Sequence, residues 1–362
     1  ELGGPGEGGK TYRSLIRRLG ADGWLGIGWP REFGGQGRPP TDQFIFFDEA
    51  QRAGAPIPFV TLNTVGPTLM TYGSDEQKAE LLPRILAGEI IFAIGYTEPE
   101  AGTDLASLRT KAVRDGDEYL VNGSKVFTSG ANDADYIWLA VRTNPEAPKH
   151  KGISILLVPT SSPGFKFTPI VTVGGVRTTA TFYDDVRVPS TSVVGKENEG
   201  WRMITTQLNH ERVGLAALGG LGHRLWDDTV AWAASTDSGE GGSLIDLAWV
   251  RADLARAHAK LEAMKLLNWR MTADTAAGTL DPGDSSAVKV YGTEALIDGY
   301  RALLEVLGPV SHLKTGSPGA ALRGEVERAA RAAQINTFGG GVNDVQRDIV
   351  AAVALKMPRL PR

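Results

Sequence analysis

Two groups of aromatic and hydroxyl side chains could together bind a flat, polar ring system. The first is the pair Tyr96 and Thr97, and the second is the run Phe127, Thr128 and Ser129. An aromatic side chain can pack on the face of such a ring, while hydroxyls and strand-end amides can bond to heteroatoms at its edge. Ordinary strand packing explains the same residue types, and the residues alone favour that plainer interpretation.

The segment between these groups predicts a β-hairpin. Asn122 and Gly123 stand between two β-prone runs, residues 119–121 and 125–128. Asn-Gly supplies the positive φ angles of a type I′ turn, so we expect the turn at these two residues. The prediction anchors a β-structured unit in the stretch from Tyr96 to Gly130.

Length and composition limit the classes to which the chain can belong. Its 362 residues suit two or three structural units, and 42% hydrophobic with 22% charged residues is typical of a folded protein. The net charge of −4 gives no reason to expect nucleic-acid binding, and no apolar run is long enough to predict a membrane span.

Cysteine is absent, which excludes disulfides, thiolate metal ligands and cysteine nucleophiles. We expect no metal site. A cytoplasmic location is compatible with this composition and is the expectation. The numbering opens at Glu1 without a methionine, which leaves open that residues precede it.

Periodicity divides the chain into three regions, which predict an α+β multidomain fold. Helical patterns run to residue 86, with Ser74 as the expected N-cap of the last of them. Strand patterns at 136–142, 152–159, 165–170 and 178–188 predict a barrel or sandwich. Long helices near 200–234, 247–271, 285–307 and 320–355, the last interrupted at glycines 339–341, predict an antiparallel four-helix bundle. The expected domains are residues 1–89, 90–198 and 199–362.

The first bundle helix is rich in glycine, at Gly214, Gly219, Gly220 and Gly222. Glycine inside a helix costs about 1 kcal/mol relative to alanine, so these positions indicate either close helix packing or room for a ligand. The sequence leaves the two interpretations equal.

Three separated motifs, in this order, resemble those of the acyl-CoA dehydrogenase family. They read YTEPEAGTD at 96–104, NGSKVFTSG at 122–130 and VNDVQRDIVAAVALKMPR at 342–359. The resemblance covers essentially the whole chain and implies the same order of helical domain, β-domain and four-helix bundle, with an N-terminal domain that lacks one helix of the family. The runs EGWRMITTQLNHERV, TEPEAGTDLASLRT and TFGGGVNDVQRDIV most resemble actinobacterial enzymes that oxidise the CoA thioesters of steroid side chains.

The resemblance implies FAD as the cofactor and an acyl-CoA as the substrate. It assigns Tyr96 and Thr97 to one side of the flavin ring and the run from Phe127 to Ser129 to the other, which reverses the preference for plain strand packing. Thr103 matches a hydroxyl that the family uses on the CoA moiety. An N-cap or turn role is the plainer interpretation of Thr103, and both can hold.

The family's reaction requires a carboxylate that removes an α-proton from the thioester while a hydride leaves the β-carbon. Most members carry this Glu near the C-terminus, and alignment on Gln346 and Arg347 puts Gly340 at that position. A minority place the Glu on the first bundle helix, immediately before an arginine. Glu211 matches that placement, so the resemblance implies Glu211 as the base. Burial beside an apolar acyl chain would raise its pKa to suit that role.

Residues around Glu211 match further contacts of the family. Asn209 and Arg212 correspond to CoA-binding positions, and helical spacing brings them near one face. As an alternative, Glu211 forms a structural ion pair with Arg212 or another neighbour. Gly340 keeps a backbone N–H that could hold the thioester oxygen as charge develops, and it leaves room for a bulky ring substituent.

Two segments that hold the dinucleotide of a neighbouring subunit in the family's homotetramers have no match in this chain. The corresponding regions read WAASTDSGEGGSLID at 232–246 and LLEVLGPVSHL at 303–313. The resemblance therefore implies joint flavin binding with a homologous, non-identical subunit in an α2β2 assembly, with electron transfer to an electron-transfer flavoprotein. A non-catalytic scaffold subunit and an oxygen-using acyl-CoA oxidase stay open as alternatives.

Overall fold

The computed structural model describes residues 8–215 and 219–358, except for the side chains of residues 208–215. The chain forms two compact units. The first unit comprises the residues up to 38 together with 56–172 and 176–211, and the second comprises residues 39–55, 173–175 and 212 onward.

Along the chain, a first block of helices is followed by a block of strands and then by a second block of helices. The helices are α1 (Lys10–Ala21), α2 (Pro40–Arg52), α3 (Gly66–Tyr72), α4 (Asp75–Leu86), α5 (Gly200–Leu215), α6 (Gly219–Ser235), α7 (Ala248–Ala277), α8 (Pro282–Leu307), α9 (Glu325–Ala333) and α10 (Asn343–Ile349). The strands are β1 (Phe92–Gly95), β2 (Lys111–Asp115), β3 (Glu118–Lys125), β4 (Tyr136–Arg142), β5 (Ile153–Pro159), β6 (Phe165–Val171), β7 (Arg177–Pro189) and β8 (Val193–Val194). Single π-helical turns at Thr61–Val65 and Val350–Ala354 precede α3 and follow α10.

Side chains tie the helical part of the first unit to its strands. The Arg13 guanidinium on α1 lies 2.8 Å from Asp135 Oδ2, and the Gln77 amide on α4 donates to the Thr191 carbonyl oxygen at 2.8 Å. The predicted N-cap at Ser74 is confirmed. Its hydroxyl accepts the Gln77 N–H, and the Gln77 side chain accepts the Ser74 N–H, which satisfies two N–H groups at the start of α4.

The strands form one eight-stranded sheet with the order β6-β7-β3-β2-β4-β5-β8, and β1 pairs with β4 outside this path. The β1 and β2 pairings with β4 are parallel, and the other pairs are antiparallel. β4 and β5 are buried along nearly their whole length, which explains why their sequences are continuously apolar. The strands predicted from Tyr136 onward are confirmed to within a residue or so at each end.

The predicted hairpin turn at Asn122 and Gly123 is wrong. Both residues lie inside β3, and the turn that joins β2 to β3 is formed by Gly116 and Asp117. Gly123 has a φ of +146° at an irregularity in the pairing of β3 with β7, and a Cβ there would lie 2.7 Å from Thr110. The freedom of the Asn-Gly pair therefore serves a strand irregularity and a close backbone approach.

The second unit is built around α6, α7 and α8. The helix predicted near 247–271 is confirmed as α7, and apolar residues that recur at steps of three and four along it are buried. They are Val250, Leu254, Ala257, Leu261, Met264 and Met271. Most of this stripe forms one core with apolar residues of α6, α8 and α9.

Helix α6 approaches its neighbours closely at its glycines. A Cβ on Gly220 would lie 2.4 Å from the carbonyl oxygen of Asp48 on α2, and a Cβ on Gly222 would lie 2.9 Å from Leu296 Cδ2 on α8. These glycines therefore serve helix packing. Gly214 lies outside the described side chains.

The interruption predicted at glycines 339–341 in the last bundle helix is confirmed. α5 and α6 take the place of the helix near 200–234, with residues 216–218 outside the description, and α9 and α10 take the place of the helix near 320–355. The break between α9 and α10 includes Gly340 and Gly341, whose φ angles of +65° and +100° are incompatible with a right-handed helix. Among the helices in the described ranges, none is both long enough and apolar enough to cross a bilayer.

Candidate functional site

The structure brings together the two groups of ring-binding candidates. β1 ends at Gly95, and the Val126 N–H donates to the Thr97 carbonyl oxygen at 2.9 Å. The backbone that carries Tyr96 and Thr97 therefore runs beside the backbone that leads into Phe127. We call the set Tyr96, Thr97, Phe127, Thr128 and Ser129 the ring-side site.

A buried ion pair fixes the backbone of the ring-side site. Lys125 Nζ lies 2.8 Å from Glu98 Oε1 and donates to the Tyr96 carbonyl oxygen at 3.0 Å. The Glu98 carboxylate also accepts the backbone N–H groups of Arg109 at 2.7 Å and Thr110 at 2.8 Å. Neither charged side chain is more than 7% exposed. Buried charges are stable only when paired and hydrogen-bonded, so these contacts leave the segment little freedom.

Burial and pairing move the pKa values of both members of this ion pair. Burial lowers the pKa of Lys125 from 10.5 to about 8, although the Glu98 carboxylate opposes the shift. Burial alone would raise the pKa of Glu98, but the Lys125 ammonium and the hydrogen bonds from Lys125 and Thr110 together hold it below its usual value. The pair is therefore charged near neutral pH, and Lys125 loses its proton in mildly alkaline solution.

Threonines of β7 hold the second half of the ring-side site. The Thr128 N–H donates to the Thr179 carbonyl oxygen at 2.9 Å, and the Thr179 hydroxyl donates to the Thr128 carbonyl oxygen at 2.7 Å. Ser129 Oγ lies 2.9 Å from Thr178 Oγ1. These bonds fix the backbone that follows Phe127.

Phe127 has an unusual backbone conformation, with a φ of +59°. It is 57% exposed. A left-handed conformation costs a non-glycine residue about 1–3 kcal/mol, and such strain is concentrated at functional sites. The segment thus presents an aromatic ring at the protein surface on a well-anchored backbone.

A chain of hydrogen bonds links the ring-side site to α5. The Trp138 indole N–H on β4 donates to the Tyr96 hydroxyl oxygen at 3.0 Å, and the Tyr96 hydroxyl donates to Gln207 Oε1 on α5. Gln207 is 1% exposed, and its Nε2 has no hydrogen-bond partner in the part of the chain that the structure describes. The chain therefore ends in a buried amide donor that the described protein leaves unsatisfied.

The remaining candidates of the first unit are less well defined. Thr103 is exposed in the loop after β1, and the N-cap of the 3₁₀ turn that follows is Asp104, so an N-cap role for Thr103 is wrong. Asn209 and Glu211 belong to α5, and the structure describes their backbone but not their side chains. Arg212 belongs to the second unit, and its side chain also lies outside the described residues.

Gly340 belongs to the second unit, in a turn between α9 and α10 that we call the glycine turn, residues 339–341. The Gln346 amide on α10 donates to the Gly340 carbonyl oxygen at 3.3 Å. Lys289 Nζ on α8 donates to the Gly341 carbonyl oxygen at 2.8 Å and to Asn343 Oδ1 at 2.7 Å. Buried side chains of two helices thus set the shape of this turn.

The sequence interpretation missed the buried polar residues Glu98, Lys125, Trp138 and Gln207. The periodicity of the sequence could have identified two of them. Lys125 occupies an inward position of β3 in alternation with Val121, and Gln207 continues the buried stripe of Met203 and Ile204 on α5. A charged or amide side chain at an apolar position of the period indicates a buried polar contact.

The fold and the site define a multidomain α+β protein with helical N- and C-terminal parts and a ring-binding candidate site on the intervening sheet. The domains of one family match it in the same order: "Acyl-CoA dehydrogenase, N-terminal domain" at residues 6–89, "middle domain" at 93–186 and "C-terminal domain" at 198–355. The chain belongs to the acyl-CoA dehydrogenase family, oxidoreductases that act on CH–CH groups. The family resemblance found in the sequence is confirmed.

Several relatives are similar over nearly the whole chain. Acyl-CoA dehydrogenase FadE26 of Mycobacterium tuberculosis is 55% identical over 98% of this chain and 90% of its own length, and FadE29 of the same organism is 53% identical over 98% and 90%. The solved structure of the Tcur3481-Tcur3483 steroid ACAD is 60% identical with a TM-score of 0.94, over 98% of this chain and 91% of that one. The ChsE4-ChsE5 complex from M. tuberculosis is 55% identical with a TM-score of 0.93, over 97% and 91%.

Proposed function

We propose that this chain catalyses FAD-dependent α,β-dehydrogenation of a bulky or steroid side-chain acyl-CoA, as one subunit of a heteromeric dehydrogenase. The proposal rests on a contrast between two parts of the chain, the ring-side site and the segments that hold a dinucleotide in the family. The ring-side site is assembled and anchored, whereas the regions that would hold the dinucleotide of a neighbour have no family motif. Residues 232–246 instead include the end of α6 and a loop bridged between Asp237 and Ser243.

The ring-side site suits an isoalloxazine ring. Phe127 offers an exposed aromatic side chain, Thr97 and Ser129 carry hydroxyls, and the buried Gln207 amide has an N–H group with no partner among the described residues. A flat ring with carbonyl oxygens and ring nitrogens requires groups of these types. When bound, FAD supplies the hydride acceptor, a capacity that amino-acid side chains lack.

Glu211 is the proposed base. Its carboxylate would take the α-proton of the thioester and keep it while the β-hydride departs. α5 supports this residue on a regular helix, which positions a catalytic group more tightly than a loop does. Asn209 and Arg212 beside it, together with Thr103 in its exposed loop, are the proposed contacts for the CoA moiety.

Gly340 is the proposed donor to the thioester oxygen. A backbone N–H placed where negative charge develops stabilises the enolate-like transition state, and the missing side chain leaves space for a bulky acyl group. The steroid class of substrate is proposed because the solved relative at 60% identity is named a steroid ACAD.

A homologous partner subunit completes the proposal. The solved relatives are two-component assemblies by name, Tcur3481-Tcur3483 and the ChsE4-ChsE5 complex. A chain that retains the ring-side site without the dinucleotide segments would share each FAD with a partner that has them. We therefore propose an α2β2 assembly that passes its electrons to an electron-transfer flavoprotein.

The test of catalysis is the substitution Glu211→Gln in the complex co-expressed with the adjacent gene's product. Loss of a positioned general base should lower turnover of a steroid side-chain acyl-CoA by about 10²–10⁴-fold, while FAD content stays normal. Glu240→Gln, at an exposed loop position, is the matched control and should leave turnover unchanged. Near-normal turnover of Glu211→Gln would overturn the assignment and favour the scaffold alternative. Oxygen consumption without an added acceptor would favour the oxidase.

A further inference from the structure

Gln207 is a buried polar residue whose role the fold does not explain. It lies on the inward stripe of α5 with Met203 and Ile204, where an apolar side chain would pack without any polar cost. Its Oε1 has a hydrogen-bond partner, whereas Nε2 is shielded from solvent and has no partner among the described residues. A buried donor without an acceptor destabilises a protein, so Nε2 needs an acceptor that the described residues do not supply.

In the structure the Gln207 amide turns its oxygen toward the Tyr96 hydroxyl. The Trp138 indole N–H can only donate, and it donates to the Tyr96 hydroxyl oxygen at 3.0 Å. The Tyr96 hydroxyl in turn donates to Gln207, which requires the carboxamide oxygen as the acceptor. Nε2, with two N–H groups, is therefore the unsatisfied end.

The position of this donor points to the reaction site. At one end Gln207 is bonded to Tyr96, a member of the ring-side site, and Tyr96 precedes the Thr97 carbonyl that Val126 holds at 2.9 Å. Along α5, Gln207 precedes the proposed base Glu211 by four positions, which is about one helical turn. A ligand that reaches both the ring-side site and the base would pass close to this amide.

We infer that Gln207 is a ligand-positioning residue that donates from Nε2 to a carbonyl oxygen of the bound flavin and acyl-CoA. The acceptor is either a carbonyl of the flavin ring or the thioester carbonyl, and both share the same hydrogen-bond chemistry. The Trp138 and Tyr96 side chains act through Gln207, because they fix the orientation of its amide. The inference rests on the proposed function.

The experiment compares Gln207→Met with Tyr96→Phe in the co-expressed complex. Both variants lose the bond between Tyr96 and Gln207, but only Gln207→Met loses the Nε2 donor, and methionine has nearly the same length. Dissociation constants are measured for FAD, for 3-cyclohexylpropanoyl-CoA and for its thioether S-(3-cyclohexylpropyl)-CoA, which lacks the carbonyl. The melting temperature of the complex without added ligand reports any purely structural effect.

A donor to the flavin predicts that Gln207→Met weakens FAD binding about tenfold more than Tyr96→Phe does and shifts the flavin absorption band. A donor to the thioester predicts instead about a tenfold loss for the thioester, with no loss for the thioether and normal FAD binding. Either result supports the inference. Equal constants for the two variants with all three ligands, or a change in melting temperature alone, would overturn it. If the unsubstituted complex binds neither FAD nor the acyl-CoA, the proposed function fails and the inference falls with it.

Discussion

Two buried lysines each hold the carbonyl oxygen of a loop in this protein, one in each unit, and they do so with different partners. Lys125 on β3 holds the Tyr96 carbonyl oxygen and is paired with the Glu98 carboxylate at 2.8 Å. Lys289 on α8 holds the Gly341 carbonyl oxygen and donates to the Asn343 amide oxygen at 2.7 Å. The ring-side site thus contains a buried charge pair, while the glycine turn contains amide contacts and backbone angles that suit glycine.

This difference predicts which changes each region tolerates. The ring-side site should be sensitive to the loss of one charge, because an unpaired charge in a buried place is costly. It should also be sensitive to pH, because burial lowers the pKa of Lys125. The glycine turn should be sensitive to added side-chain volume, because φ angles of +65° and +100° and the nearby Gln346 amide leave little room for a Cβ.

The largest effect is expected for Lys125→Met. It leaves the Glu98 carboxylate buried without its cation, which should lower the free energy of unfolding by about 3–5 kcal/mol and reduce FAD binding. Chemical denaturation and the FAD content of the purified complex measure the two effects. The double variant Lys125→Met with Glu98→Gln removes both charges and should recover part of the lost stability. If Lys125→Met alone is no less stable than the double variant, the ring-side site does not depend on the charge pair, and the contrast with the glycine turn fails.

A smaller effect is expected in the glycine turn for Gly341→Ala. A Cβ there would lie 2.3 Å from Gln346 Nε2, so the buried amide that bonds the Gly340 carbonyl oxygen must move. Gly278→Ala is the matched control, because Gly278 also has a positive φ, +69°, but a Cβ there meets nothing within 4 Å. Gly341→Ala should cost about 1–3 kcal/mol more unfolding free energy than the control. Equal costs would mean that the Gln346 contact does not matter.

The smallest effect is the pH dependence of the ring-side ion pair. The pKa of Lys125 is about 8 in the folded protein and 10.5 as its ordinary value. Between these values the unfolded state binds more protons, so the Lys125 contribution to stability rises with pH. The unfolding free energy of the unsubstituted protein minus that of Lys125→Met should grow by about 1 kcal/mol between about pH 7 and pH 9. A difference that stays constant or shrinks would show that burial does not dominate at Lys125.

The regular parts of the fold could be predicted from the sequence, because periodicity reports burial directly. The helix predicted near 247–271 and the strands predicted at 136–142 and 152–159 correspond to α7, β4 and β5, whose apolar residues are buried. The turn at Asn122 and Gly123 was mistaken because a positive φ suits a strand irregularity as well as a hairpin turn, and only the pairing with β7 decides between them.

The polar contacts behind the site could not be predicted. The partners of Lys125 and Gln207 come from segments distant in sequence, at Glu98 and Tyr96, so no local pattern pairs them. The types of residue at Tyr96 and Phe127 suggested a ring ligand, but their adjacency depends on the contact between Val126 and Thr97 across the sheet. The role of Glu211 was assigned by family resemblance and stays a proposal, since its side chain lies outside the described residues.

The central claim is that this chain supplies the ring-side part of a flavin site that a non-identical partner completes. The FAD content per mass of the co-purified complex tests it most directly, with both polypeptides quantified separately. The account predicts half as many FAD molecules as polypeptide chains, in an assembly with equal amounts of the two subunits. An FAD for every chain, or full FAD binding by this polypeptide purified alone, would contradict it.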